Sequence, residues 1–182
     1  MSLSIRVVPH DELTRDDLDG LRTLFDAEYR SEHGDWHPDQ PYGYAPHDVH
    51  VIAGEGDAIV GHVGWARRII GVGAQDVVIA GVGGVLIAEN ARGLRAGERL
   101  MRAAVASMRD ARDIEFGYLG CREEVVPFYR SCGWTRVVAA ERSLDRTGKP
   151  TEDPPGQPLL VYPVDSSAVW PDGDIDLRGR AW

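Results

Sequence analysis

The stretch VGGVLIAENARGLRAGERLMRAAV, residues Val82–Val105, decides how the chain is read. It begins apolar and glycine-rich, in the manner of a buried strand, crosses a polar turn at Glu89-Asn90-Ala91, and enters a helix. Across the join lies Arg92-Gly93-Leu94-Arg95-Ala96-Gly97. A strand that runs through such a turn into a helix aims several backbone N–H groups, and the positive end of the helix dipole, at one point. Phosphate is the usual occupant of that point, although an ordinary strand-turn-helix has the same outline. The flanking sequence has to choose between them.

Outward from this stretch the chain alternates strands and helices. Ser4–Val8 is a strand candidate, and Thr14 with Asp17 resembles a capping box. Leu18, Leu21, Phe25 and Tyr29 recur at helical spacing and predict a helix to about Arg30. Ser31–Asp48 has no periodicity and reads as a long irregular loop, the kind that carries function. His50–Ala53 and Ile59–Ile70 read as a hairpin, followed by a long, largely apolar central strand over Asp76–Ala88. Gly81, Gly83 and Gly84 inside that strand predict a bulge or a close approach by another group. Phe116–Leu119 is a further strand, Glu124–Cys132 a short helix ended by Gly133, and Trp134–Ala140 and Leu159–Val164 the remaining strands. Asp145–Pro158 shows no core pattern, and Asp165–Trp182 reads as a polar, acidic tail. The expected architecture is α/β, a central mixed β-sheet flanked by helices, in a single domain over residues 1–182 with its core at about 4–164.

Charge and composition set bounds. A chain of 182 residues with 43% hydrophobic and 27% charged residues is expected to bury a full core. No apolar run approaches the roughly 20 residues of a membrane helix, and no signal-peptide core is present, so a cytoplasmic location is the expectation. The net charge of −9 disfavours nucleic acid, whose binding depends on clustered cations, and suits a cationic substrate such as an amine. Cys121 and Cys132 have neither metal-ligand nor CxxC spacing and read as reduced thiols. His33, His37 and His47 in the long loop are too irregularly spaced to predict a metal.

The second informative stretch is Tyr129-Arg130-Ser131-Cys132-Gly133-Trp134. With the Arg92–Gly97 turn, and in that order, it resembles the Gcn5-related N-acetyltransferase (GNAT) superfamily of acyl-CoA N-acyltransferases. Gly61-His62-Val63-Gly64, Arg67-Arg68, Val161-Tyr162-Pro163-Val164 and Trp170-Pro171 are similar to two narrower groups, the aminoglycoside 2'-N-acetyltransferases and the nodulation N-acyltransferases. The resemblance implies a GNAT-like fold and acetyl-CoA, or another acyl-CoA, as cosubstrate. The amides of Arg92, Gly93, Leu94, Arg95, Ala96 and Gly97 are then expected to hold the pyrophosphate, and Val85, Leu86 and Ile87 to pair with the pantetheine arm. Two departures stand out. Arg95 occupies the turn's usual middle glycine, and Gly81 or Gly83 stands about where both narrower groups carry a glutamate.

The implied reaction is direct attack of a neutral amine on the thioester, with Tyr129 as the general acid for the leaving thiolate. His62 is the best base by intrinsic pKa, with Asp48, His50 or a water chain as alternatives. Asp35 and Trp36 in the loop, and Trp170, Asp172, Asp174 and Trp182 in the tail, could form a cation-binding wall, and Asp48 stands at the mouth of the next strand. The expected acceptor is a small-molecule primary amine, an amino sugar or aminoglycoside first, with no metal, and related folds carry the expectation of a homodimer. A non-catalytic acyl-CoA-binding domain on the same fold is the alternative. Arg95 and the missing glutamate favour that alternative, and Tyr129 speaks against it.

Overall fold

A computed structural model describes residues 3–93 and 95–182. One ten-stranded mixed sheet carries the fold. Its order along the main path is β6 (Thr135–Val137), β9 (Leu159–Pro163), β5 (Phe116–Gly120), β4 (Gln75–Ile87), β3 (Ala58–Val72), β10 (Ile175–Arg180), β7 (Glu141–Leu144) and β8 (Pro150–Asp153). β1 (Ser4–Pro9) and β2 (Val49–Glu55) extend the sheet beside the first half of β3. The helices are α1 (Arg15–His33), α2 (Ala96–Asp110) and α3 (Val126–Ser131).

Alternation along β2 shows how the layers form. Val51 and Ala53 join the cluster that holds Leu100, Met101 and Ala104 of α2, while Ile52 between them joins Leu21, Leu24 and Phe25 of α1. Successive side chains of a strand point to opposite faces, so α1 and α2 cover opposite sides of the sheet. The expected capping box at α1 is present: Thr14 Oγ1 accepts from the Asp17 amide, and the Asp17 carboxylate accepts from the Thr14 amide. Asp17 is buried and also takes the Arg6 guanidinium, which holds its pKa down at about 2.

Two segments correct the expectations. Asp165–Trp182 is not a solvated tail, because Ile175–Arg180 enters the sheet as β10, antiparallel to β3 and parallel to β7. Ile175 and Leu177 alternate into the core, while Asp176 between them is half-buried and Arg178 after them is exposed. The Asp145–Pro158 excursion contributes β8, which pairs with β7 as a hairpin. The long apolar strand is β4 as expected, and its glycines make both a bulge and a close approach. Register shifts where Gly84, at φ 57°, bulges against β3 between His62 and Gly64. A Cβ at Gly81 or Gly83 would run into Trp182.

Candidate active site

The site begins where two parallel strands part. β4 and β5 are hydrogen-bonded only over Ile79–Gly81 and Phe116–Tyr118. Beyond that point β5 follows β9, through Leu119–Leu160 and Gly120–Leu159, while β4 continues along β3 to Ile87. A wedge opens in the middle of the sheet, and Val82, Gly83, Gly84 and Val85 line it from one side, Leu119 and Gly120 from the other. A strand edge left unpaired inside a sheet offers backbone donors and acceptors to an extended ligand. The wedge belongs to a cleft of about 670 Å³.

Past the wedge, Ile87 leads through a short 3-10 turn at Glu89–Ala91 into α2. Gly93 and Arg95 both have positive φ, 89° and 55°. Arg95 thus keeps the left-handed backbone that a glycine would adopt freely, and its side chain is 84% exposed. Among the described residues no side chain caps the N-terminus of α2, which leaves its first amides open to an anion. Arg92 donates from Nε to the Ile87 carbonyl at 3.3 Å and lies 3.5 Å from Glu28. Leu94, expected in the same turn, lies outside the described residues.

Tyr129 of α3 is 7% exposed and lines the same cleft as Gly84 and Val85. Burial pushes its pKa up, with Cys121 and Cys132 adding to the shift, so the phenol is held protonated. Of the remaining expected residues, only Trp182 lines the cleft. Its ring packs over Gly81 and its Cβ and carbonyl over Gly83, in room that only glycine leaves, and the Arg68 guanidinium sits 3.9 Å above the ring. Asp35 is exposed and pairs with Arg30 at 2.8 Å. Trp36 is buried, stacked on Phe25 at 5.2 Å. The Asp48 carboxylate accepts from the Arg67 amide at 2.8 Å. None of these three lines the cleft.

His62 is fully buried, and both of its ring nitrogens are engaged. Nδ1 lies 2.7 Å from the Gly84 carbonyl oxygen and Nε2 lies 2.9 Å from His50 Nδ1. His50 Nε2 continues to His10 Nδ1 at 3.0 Å, and His10 Nε2 reaches Asp39 at 3.1 Å. A carbonyl only accepts, so the proton of His62 sits on Nδ1 and its Nε2 accepts from His50 Nδ1–H. His50 in turn accepts at Nε2 from His10 Nδ1, and the outer nitrogen of His10 lies against the Asp39 carboxylate. Desolvation lowers His50 to about 3 and His62 to about 4, in keeping with two neutral imidazoles inside.

Three residues were not expected at the site. His47 is 5% exposed and lines the cleft. Glu141 of β7 is buried in the cleft wall, bonded to the Tyr118 hydroxyl, and burial raises its pKa. Tyr118 is stacked beneath Trp170 at 6.0 Å. A lone glutamate after the apolar run Val137–Ala140 was the only signal for Glu141, and nothing in the sequence paired it with Tyr118. Among the described residues, no group of three or more His, Cys, Asp or Glu is placed to hold a metal ion, and no helix is long and apolar enough to cross a membrane.

Three comparisons bear on this geometry. The family model described as nodulation protein A (NodA) matches residues 2–180. Among solved structures, Escherichia coli ElaA is 21% identical with a TM-score of 0.63, covering 88% of this chain and 99% of its own. The E. coli GNAT family N-acetyltransferase YhbS, solved in complex with CoA, is 14% identical with a TM-score of 0.62 over 96% of this chain and 89% of its own. A GNAT family acetyltransferase from Brucella melitensis, solved in complex with acetyl-CoA, is 14% identical with a TM-score of 0.60 over 94% of each chain. At these identities the likeness establishes the fold, which is that of the GNAT acyltransferases. No curated protein matches by sequence.

Proposed function

The chain belongs to the nodulation protein A (NodA) family, N-acyltransferases of the GNAT superfamily, and from that membership and the shape of the cleft we propose that it transfers an acetyl group from acetyl-CoA to the primary amine of a small amino sugar or aminoglycoside. The observation that carries this reading is the β4–β5 wedge with the buried Tyr129 on the same cleft. The free edge of Val85, Leu86 and Ile87 suits a pantetheine arm. The uncapped first turn of α2, with Arg92, Gly93, Arg95, Ala96 and Gly97, suits a pyrophosphate.

The chain's residues divide the work. Amides of β4 stabilise the oxyanion as the amine attacks the thioester carbonyl. Tyr129, kept neutral by burial, gives its proton to the departing thiolate. The far wall of the cleft carries carboxylates and aromatic rings, with Arg146 set over Tyr44. Glu32, Glu141 and Asp153 line it with Tyr42, Tyr44 and Trp182. Carboxylates favour a cationic amine and aromatic faces suit sugar rings.

Thiol release from acetyl-CoA, measured across glucosamine, kanamycin, spermidine and glucose, tests the reading. Turnover is expected with the amino sugars and none with glucose. Binding of CoA with no turnover on any amine contradicts it.

A further inference from the structure

We propose that His47 is the catalytic base that receives the proton of the attacking amine. This rests on the acyl-transfer reading and names a residue that the motifs do not include. His47 Nε2 is buried without a hydrogen-bond partner, on a side chain that lines the cleft. A buried polar atom normally has a partner, so an orphan on a side chain that lines a ligand cleft points to a group supplied by the ligand.

The fold builds a socket for this ring. A Cβ at Gly64 of β3 would strike the His47 ring, and one at Gly84, the bulge of β4, would lie 3.2 Å from His47 Cε1. The two glycines leave the space that the imidazole fills, beside the backbone where the wedge opens. The loop is fixed on either side of it. Ala45 N donates to Ala181 O at 2.8 Å, Asp48 N donates to Trp65 O at 2.9 Å, and the Asp48 carbonyl accepts from His10 N at 2.8 Å. His47 is thus held between anchored neighbours, which is what proton transfer in a fixed geometry requires.

Its surroundings keep it unprotonated. Burial lowers its pKa well below the ordinary value, and His62, His50 and His10 lower it further. Gly64 and Gly84 add no charge, while Glu32 and His33 of α1 share the cleft. His62 cannot take the same role, since its two nitrogens are committed to His50 and Gly84. Its place is that of a positioning residue, holding the Gly84 carbonyl behind the bulge.

The step balances. The amine nitrogen forms a bond to the acyl carbon, the carbon–sulfur bond breaks, one amine proton passes to His47 Nε2, and the Tyr129 proton passes to sulfur. His47 then returns a proton, through solvent, to the Tyr129 phenolate.

The test measures thiol release from acetyl-CoA with glucosamine and kanamycin, alongside CoA affinity and Tm, for wild type, His47→Gln, His47→Asn and His47→Ala. The Gln and Asn variants are expected to lose about 100-fold or more in kcat with CoA affinity and Tm unchanged. Added imidazole should restore His47→Ala in proportion to its free-base fraction as pH is varied. Wild-type kcat in His47→Gln or His47→Asn, or rescue by imidazole that ignores its protonation state, overturns the base and leaves acyl transfer standing. CoA binding without turnover in the wild type on either amine overturns both.

Discussion

At the scale of single residues, the histidines set the protein's response to acid. His47, His50 and His62 are buried and neutral, with folded pKa values depressed, to about 3 for His50 and about 4 for His62. In the unfolded chain each recovers an ordinary value near 6.5. Below that value the unfolded state binds protons that the folded state refuses, so stability falls as pH drops from about 6.5 toward 4. Glu141 acts in the opposite sense, because burial raises its pKa and the folded state takes up its proton more readily. Asp17, held at about 2 by Arg6, is lost only at lower pH and leaves this window untouched. Three groups against one give a net loss. Tm measured from pH 7 to pH 5 should fall steadily, and a Tm that is flat or rises on acidification contradicts the buried neutral cluster. The sequence showed six histidines but not this one. His10, His50 and His62 lie on separate elements, and only pairing β1 with β2 and β2 with β3 brings them into line.

At the scale of elements, legibility followed periodicity. α1, α2, the β2–β3 hairpin and β4 had long apolar patterns and are found close to their expected places. β10 was hidden because Asp176, Arg178 and Arg180 break its apolar pattern, and only Ile175 and Leu177 mark its buried face. β8 has no buried side chain and was invisible for the same reason. The glycines of β4 were legible as an anomaly, but the cause at Gly81 and Gly83, Trp182 lying across the strand, depends on β10 returning to the sheet. Arg68 completes that arrangement by donating to the Leu177 and Arg180 carbonyls at 3.1 and 2.7 Å. A Gly81→Val substitution should therefore expel Trp182 from the strand and alter the acceptor wall. Kinetics should show a several-fold higher amine KM with CoA affinity retained, because the α2 turn is remote from the change. An unchanged amine KM contradicts a place for Trp182 in the acceptor site.

At the scale of the molecule, a sheet splits and the proposed site gathers in the split. Local sequence marked the phosphate-ready turn and Tyr129, because both are written in short motifs. The other half of the cleft comes from α1, the long loop, β7, β8 and the last residues, parts remote in sequence that meet only in the folded chain. That is why the expected acceptor residues Asp35, Trp36 and Asp48 lie elsewhere while Glu141 and His47 line the wall. The proposed acyl-transfer site in this split has Tyr129 as its acid. The most direct measurement is kcat for thiol release beside the dissociation constant for CoA, in wild type and in Tyr129→Phe. Tyr129→Phe should lower kcat by about 100-fold or more with CoA affinity unchanged. Equal kcat in the two proteins contradicts it.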